Sequence, residues 1–146
     1  MSARITRYLE RLENTIRSRG DVEIEALEIV IHSDRPGRTS EFYARIVFLD
    51  NSLLEVEEAL VARRLAITKA RYVYHYQAGD GSLIFRYDNA PHYPKLPNFP
   101  YHKHVGDRVE SAELPDLHDV LKEIDGLTQS VTNPEEDQDV QESSSC

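Results

Sequence analysis

The chain has no tryptophan, one methionine and one cysteine. That cysteine is the last residue, Cys146, so an intrachain disulfide is excluded and a cysteine nucleophile is not expected. No apolar run approaches the roughly 20 residues of a membrane-spanning helix. The start, Met1-Ser2-Ala3-Arg4, carries neither a secretory apolar core nor a glycine for myristoylation. A cytoplasmic protein with no membrane partner is therefore the expectation. Glycine is scarce, at six residues, and none belongs to a phosphate-binding loop. A zinc cysteine pair, an HExxH helix and a nucleophile elbow are also missing, and these motifs give no reason to expect a metal or a cofactor.

What is present is enough for one folded domain. The 146 residues are 40% hydrophobic and 29% charged, within the range of chains that bury a core. The formal net charge of −9 argues against nucleic-acid binding until its distribution is read. Residues 127–146 contain Glu135, Glu136, Asp137, Asp139 and Glu142 and no Lys or Arg, which marks an acidic, disordered tail after a single domain at 1–126. The window 63–108 has the opposite balance, with eight bases against Asp80, Asp88 and Asp107. A local basic field of that kind can hold phosphate on an acidic protein, because exposed charges are screened beyond about 8–10 Å.

Helical spacing of Ile5, Tyr8, Leu9, Leu12 and Ile16 predicts a helix over 3–18. Residues 21–33 read as a strand whose apolar phase changes near Ala26, the mark of a bulge. A strand follows over 39–49; after the turn Asp50-Asn51-Ser52, residues 53–61 suit a strand or a short helix, and the turn favours a hairpin with a strand over 52–58. The run 66–76 and the run 82–88 flank Ala78-Gly79-Asp80-Gly81 and read as a hairpin. A four-residue loop would pair Tyr76 with Leu83, Tyr74 with Phe85 and Tyr72 with Tyr87. The period of two then separates an aromatic face from one bearing Lys69, Arg71, Val73 and His75 opposite Asp88, Arg86 and Ile84. Residues 89–106 hold four of the seven prolines and read as an ordered loop. Residues 114–125 read as a second helix with Leu114, Leu117, Val120, Leu121 and Ile124 on one side. The expected fold is α+β, a mostly antiparallel sheet of about five strands with an N-terminal and a C-terminal helix.

Chemistry-bearing residues concentrate in 69–104. His102 and His104 share one side of an extended segment and suit general acid–base work, since imidazole titrates near neutral pH. With His92 they also suit a metal site, although no carboxylate or thiolate stands beside them in sequence. The same histidines could simply bond nearby backbone. Arg86 at a strand end could clamp a phosphate or pair with Asp88. Tyr72, Tyr74, Tyr76 and Tyr87 could stack bases, but in a chain with so few other large aromatics they read as core. A metal-free ribonuclease needs a base for the 2′-hydroxyl, an acid for the 5′-oxygen and cations for the phosphate.

The segments Tyr74-His75-Tyr76, Leu83-Ile84-Phe85-Arg86-Tyr87-Asp88-Asn89-Ala90-Pro91-His92 and Phe99-Pro100-Tyr101-His102-Lys103-His104-Val105-Gly106 resemble the signature of the TumE toxin family. The resemblance covers about residues 22–125, with Tyr101 where members often carry another histidine. It implies a toxin of a type II toxin–antitoxin system, paired with a helix-turn-helix antitoxin of the TumA kind. Joined to the residue cluster, it suggests a metal-independent endoribonuclease. His75 and His104 are then the proton carriers, Arg86 the phosphate clamp, and Arg71, Lys103, Lys69, His92 and His102 the RNA-binding residues. The rival expectations are a non-enzymatic regulatory module docking a protein partner through the Pro-rich loop, and a metal nuclease using His92, His102 and His104.

Overall fold

A computed structural model describes residues 3–32 and 38–128. Seven strands form one antiparallel sheet in which every strand pairs with its neighbours in sequence. They are β1 (Val22–Ile31), β2 (Thr39–Phe48), β3 (Leu53–Ala62), β4 (Ile67–Gln77), β5 (Leu83–Asp88), β6 (His102–Val105) and β7 (Arg108–Ser111). Helix α1 (Ala3–Arg17) precedes the sheet, and helix α2 (117–128) follows it. The described residues fall into two separate units, divided between Leu114 and Pro115. The acidic tail expected from 127 lies outside the described residues from 129 onward. Within them, no helix is long and apolar enough to cross a membrane.

Alternation decides the first unit's core. Phe42, Ala44 and Ile46 on β2, Leu54, Val56 and Leu60 on β3, Tyr72, Tyr74 and Tyr76 on β4 and Phe85 on β5 are buried on one sheet face. Ile5, Leu9, Leu12 and Ile16 form the buried stripe of α1. The tyrosines of β4 are thus core residues, as their number suggested. Glu58 is the exception on this apolar face. Its carboxylate accepts hydrogen bonds from Tyr8 on α1 and Tyr74 on β4, and Lys69 lies 3.4 Å away. That network fastens α1 to the sheet.

Two strands beyond the expected five come from 102–111. The prolines of the Pro-rich segment stop at Pro100, so His102–Val105 keeps every amide and pairs with β5. Gly106, at φ 59°, turns the chain back into β7. The loop reading therefore holds only to about residue 101. The bulge expected near Ala26 is present between Ile24 and Ala26. The third strand extends to Ala62.

The second unit's helix begins later than the apolar spacing suggested. Leu114 is exposed, while Leu117, Val120, Leu121 and Ile124 are buried. Asp116 caps the helix: its Oδ1 accepts from the Asp119 amide at 2.8 Å, and Asp119 Oδ2 accepts from the Asp116 amide at 3.2 Å.

Candidate functional site

The expected β4–β5 register slips by two residues. Gln77 pairs with Leu83 across a longer loop, and Tyr76 pairs with Phe85 because Ile84 is an extra residue. Each change moves the register by one and inverts the facing, so together they restore it. Tyr72, Tyr74, Tyr76, Phe85 and Tyr87 keep one face and Val73, His75, Arg86 and Asp88 the other, as expected, but His75 now lies opposite Arg86 rather than Ile84.

Strand β6 extends the pattern. Arg86 is also opposite His104, giving a row His75–Arg86–His104 across three strands. The neighbouring row on that face is Val73–Asp88–His102. The row between them, Tyr74–Tyr87–Lys103, belongs to the other face.

Asp88 is the hub. Arg86 Nε donates to its Oδ2 at 3.0 Å and the Ala90 amide donates to its Oδ1 at 3.0 Å. His102 Nε2 stands 2.9 Å from Oδ1 and His104 Nε2 3.5 Å from Oδ2. Arg86 Nη1 lies 3.2 Å from His75 Nδ1, and His75 Nε2 lies 3.1 Å from Gln77 Oε1. A guanidinium can only donate, so His75 accepts at Nδ1 and carries its hydrogen on Nε2. His102 Nδ1 faces the Pro100 carbonyl oxygen at 2.9 Å and therefore donates to it. The Tyr93 ring packs edge-on to both the His102 and the His104 ring.

Arg86, Asp88, His102 and His104 line a cleft of about 400 Å³ together with Arg71, Tyr72 and His92. Burial pushes His104 below the ordinary imidazole value; Asp88 opposes that shift, while His102, Arg86 and His92 reinforce it. Burial raises the Tyr72 hydroxyl well above its usual value, with Tyr101, Asp88 and Tyr87 acting in the same sense.

The expected site residues fall into two groups. His75, Arg86, His92, His102, His104 and Arg71 are on the cleft side, Arg71 being exposed and 3.5 Å from Glu57. Lys69 and Lys103 are not. Ala70 is an extra residue in β4, so Lys69 turns toward Glu58 and Tyr74 instead of joining Arg71. Lys103 lies over the Phe85 and Tyr87 rings, because a strand cannot present three successive residues to one side. Asp88 is the group that sequence reasoning undervalued, as nothing places it beside His102 until 102–105 is recognised as a strand. Asn89 fixes the exit from β5, accepting from the Tyr72 amide and donating to the Ala70 carbonyl.

Fold and site together define a small α+β protein with a histidine–carboxylate–arginine cluster on three successive sheet strands. A family model described as Toxin TumE matches residues 12–128, and the chain belongs to that family. It is accordingly the toxin component of a toxin–antitoxin pair. No curated protein and no solved structure matches the chain.

Proposed function

We propose that this toxin acts on RNA and cleaves its phosphodiester backbone, and that a helix-turn-helix antitoxin of the TumA kind neutralises it. The observation that carries the reading is the row His75–Arg86–His104, in which a cation stands between two imidazoles on one sheet face, with Arg86 and His104 lining the cleft. In the metal-independent form expected from the sequence, neutral His104 takes the 2′-hydroxyl proton and the 2′-oxygen attacks phosphorus. The bond to the 5′-oxygen breaks as His75, in its imidazolium form with Nδ1 no longer accepting from Arg86, gives that oxygen a proton, so that one histidine gains the proton the other loses. Arg86, 37% exposed along its side chain, meets the charge on the phosphorane. Arg71 and His92 supply further contacts for the strand.

The test is cleavage of a defined RNA by purified protein, beside induced expression in a bacterial host with total RNA followed over time. His75→Ala and His104→Ala are expected to lower cleavage by about 10²–10⁴-fold, and Arg86→Ala by about 10²–10³-fold, with the fold intact by circular dichroism. Growth arrest without RNA loss moves the target elsewhere. Soluble, folded protein that causes no arrest favours a non-enzymatic binding module.

A further inference from the structure

We infer that Asp88, His102 and His104 form a binding site for one divalent transition-metal ion of the zinc, iron or manganese kind. The inference deepens the RNA-cleavage reading by naming an inorganic ligand of the same cleft.

The argument starts from hydrogen positions. His102 gives its Nδ1 hydrogen to the Pro100 carbonyl, so a neutral ring has only a lone pair at Nε2. That lone pair faces Asp88 Oδ1 at 2.9 Å, itself an acceptor. Two acceptors at that distance need a cation between them. His104 presents Nε2 to the other oxygen of the same carboxylate at 3.5 Å. Two ligand atoms bound to one ion at about 2.0–2.2 Å sit roughly 2.9 Å apart at a right angle and roughly 3.4 Å apart at the tetrahedral angle. The observed separations, one to each oxygen of Asp88, lie close to that range, as for a carboxylate that meets the ion with both oxygens. All three ligand atoms lie within 4.8 Å of one another.

The surroundings are also those of a metal site. Metal-bound histidines hand their second ring hydrogen to a carbonyl or carboxylate, which fixes the tautomer, and Pro100 does this for His102. Ligating carboxylates are held by further donors, and Arg86 and the Ala90 amide hold Asp88. Two imidazoles and one carboxylate suit zinc, iron(II) or manganese(II) better than calcium or magnesium, which prefer all-oxygen shells. Three protein ligands leave coordination positions open toward a cleft with Arg71 and His92 on its walls, where a phosphate oxygen could bind. In the loaded protein His104 is a ligand rather than a base.

The test is equilibrium dialysis of full-length protein, stripped with chelator, against Zn²⁺, Mn²⁺, Co²⁺ and Ni²⁺, together with the visible spectrum of the Co²⁺ form. One ion per chain is expected. His104→Gln and Asp88→Asn should weaken it by at least about tenfold, while Glu41→Gln on another part of the sheet should leave it unchanged. His104 is partly exposed, so its variant should stay folded, and thermal melting checks this. Absence of saturable binding for all four ions, or equal binding in the two ligand variants, overturns the inference and leaves a proton between His102 and Asp88. The dialysis contains no RNA, so failure of the RNA reading would not disturb it.

Discussion

Among the described residues, the Tyr72 hydroxyl is buried without a hydrogen-bond partner, which is an unusual cost for a core side chain. Tyr72→Phe removes the oxygen and keeps the ring, with its neighbours Tyr74 and Tyr101, in place. The variant is expected to be more stable by about 1–2 kcal/mol, read as a higher midpoint in urea. It should also change the alkaline limb. Burial raises the Tyr72 value in the folded state, so above about pH 10 the unfolded chain releases a proton that the folded chain keeps. Wild-type stability therefore falls as pH climbs past that point, and the Phe variant should lose less over the same interval. At this scale the sequence was readable wherever alternation held without interruption: His75 and Arg86 share a face as expected, and His102 and His104 share a side as expected. It failed at Lys69, because one extra alanine reverses a side chain and nothing in composition marks which alanine bulges.

At the scale of elements, the Glu58 network joins α1, β3 and β4. Glu58→Ala removes the carboxylate facing Lys69 and two tyrosine hydroxyls, and should cost about 3–5 kcal/mol in urea unfolding. Pairing Glu58→Leu with Lys69→Met should recover part of that loss, since an apolar pair no longer desolvates charge. Helix α2 has its own support. Asp116→Ala should cost about 1 kcal/mol through the lost cap. The elements themselves were legible to different degrees. Helix α1 and strands β1, β2, β4 and β5 follow from periodicity, and β3 from the turn that precedes it. Strand β6 was hidden by the prolines before it, since a dense run of residues that cannot donate was extended too far along the chain. That one misreading also concealed Asp88, whose role depends on β6 lying beside β5.

Over the first unit as a whole, charge is divided across one sheet face. Glu28, Glu41 and Glu57 line a cleft of about 340 Å³ over β1 to β4, whereas the cleft over β4 to β6 is lined by Arg71, Arg86 and histidines around the single carboxylate of Asp88. Arg71 belongs to both walls and marks the boundary. A polyanion should be drawn to the second region and turned away from the first. If the substrate is RNA, Arg71→Ala is expected to weaken binding similarly for all sequences and to reduce the slope of log affinity against log salt by about 0.7. A titration at several salt concentrations measures this. An unchanged slope would place the RNA path away from Arg71.

The strictly sequential strand order also has a consequence for synthesis. Each strand finds its partner in the segment made just before it, so the sheet can grow as the chain leaves the ribosome. His75, Arg86 and Asp88 then appear on a growing edge well before His102 and His104. The cluster closes only when β6 is added, and a nascent chain halted before residue 102 would carry much of the sheet but not the assembled site.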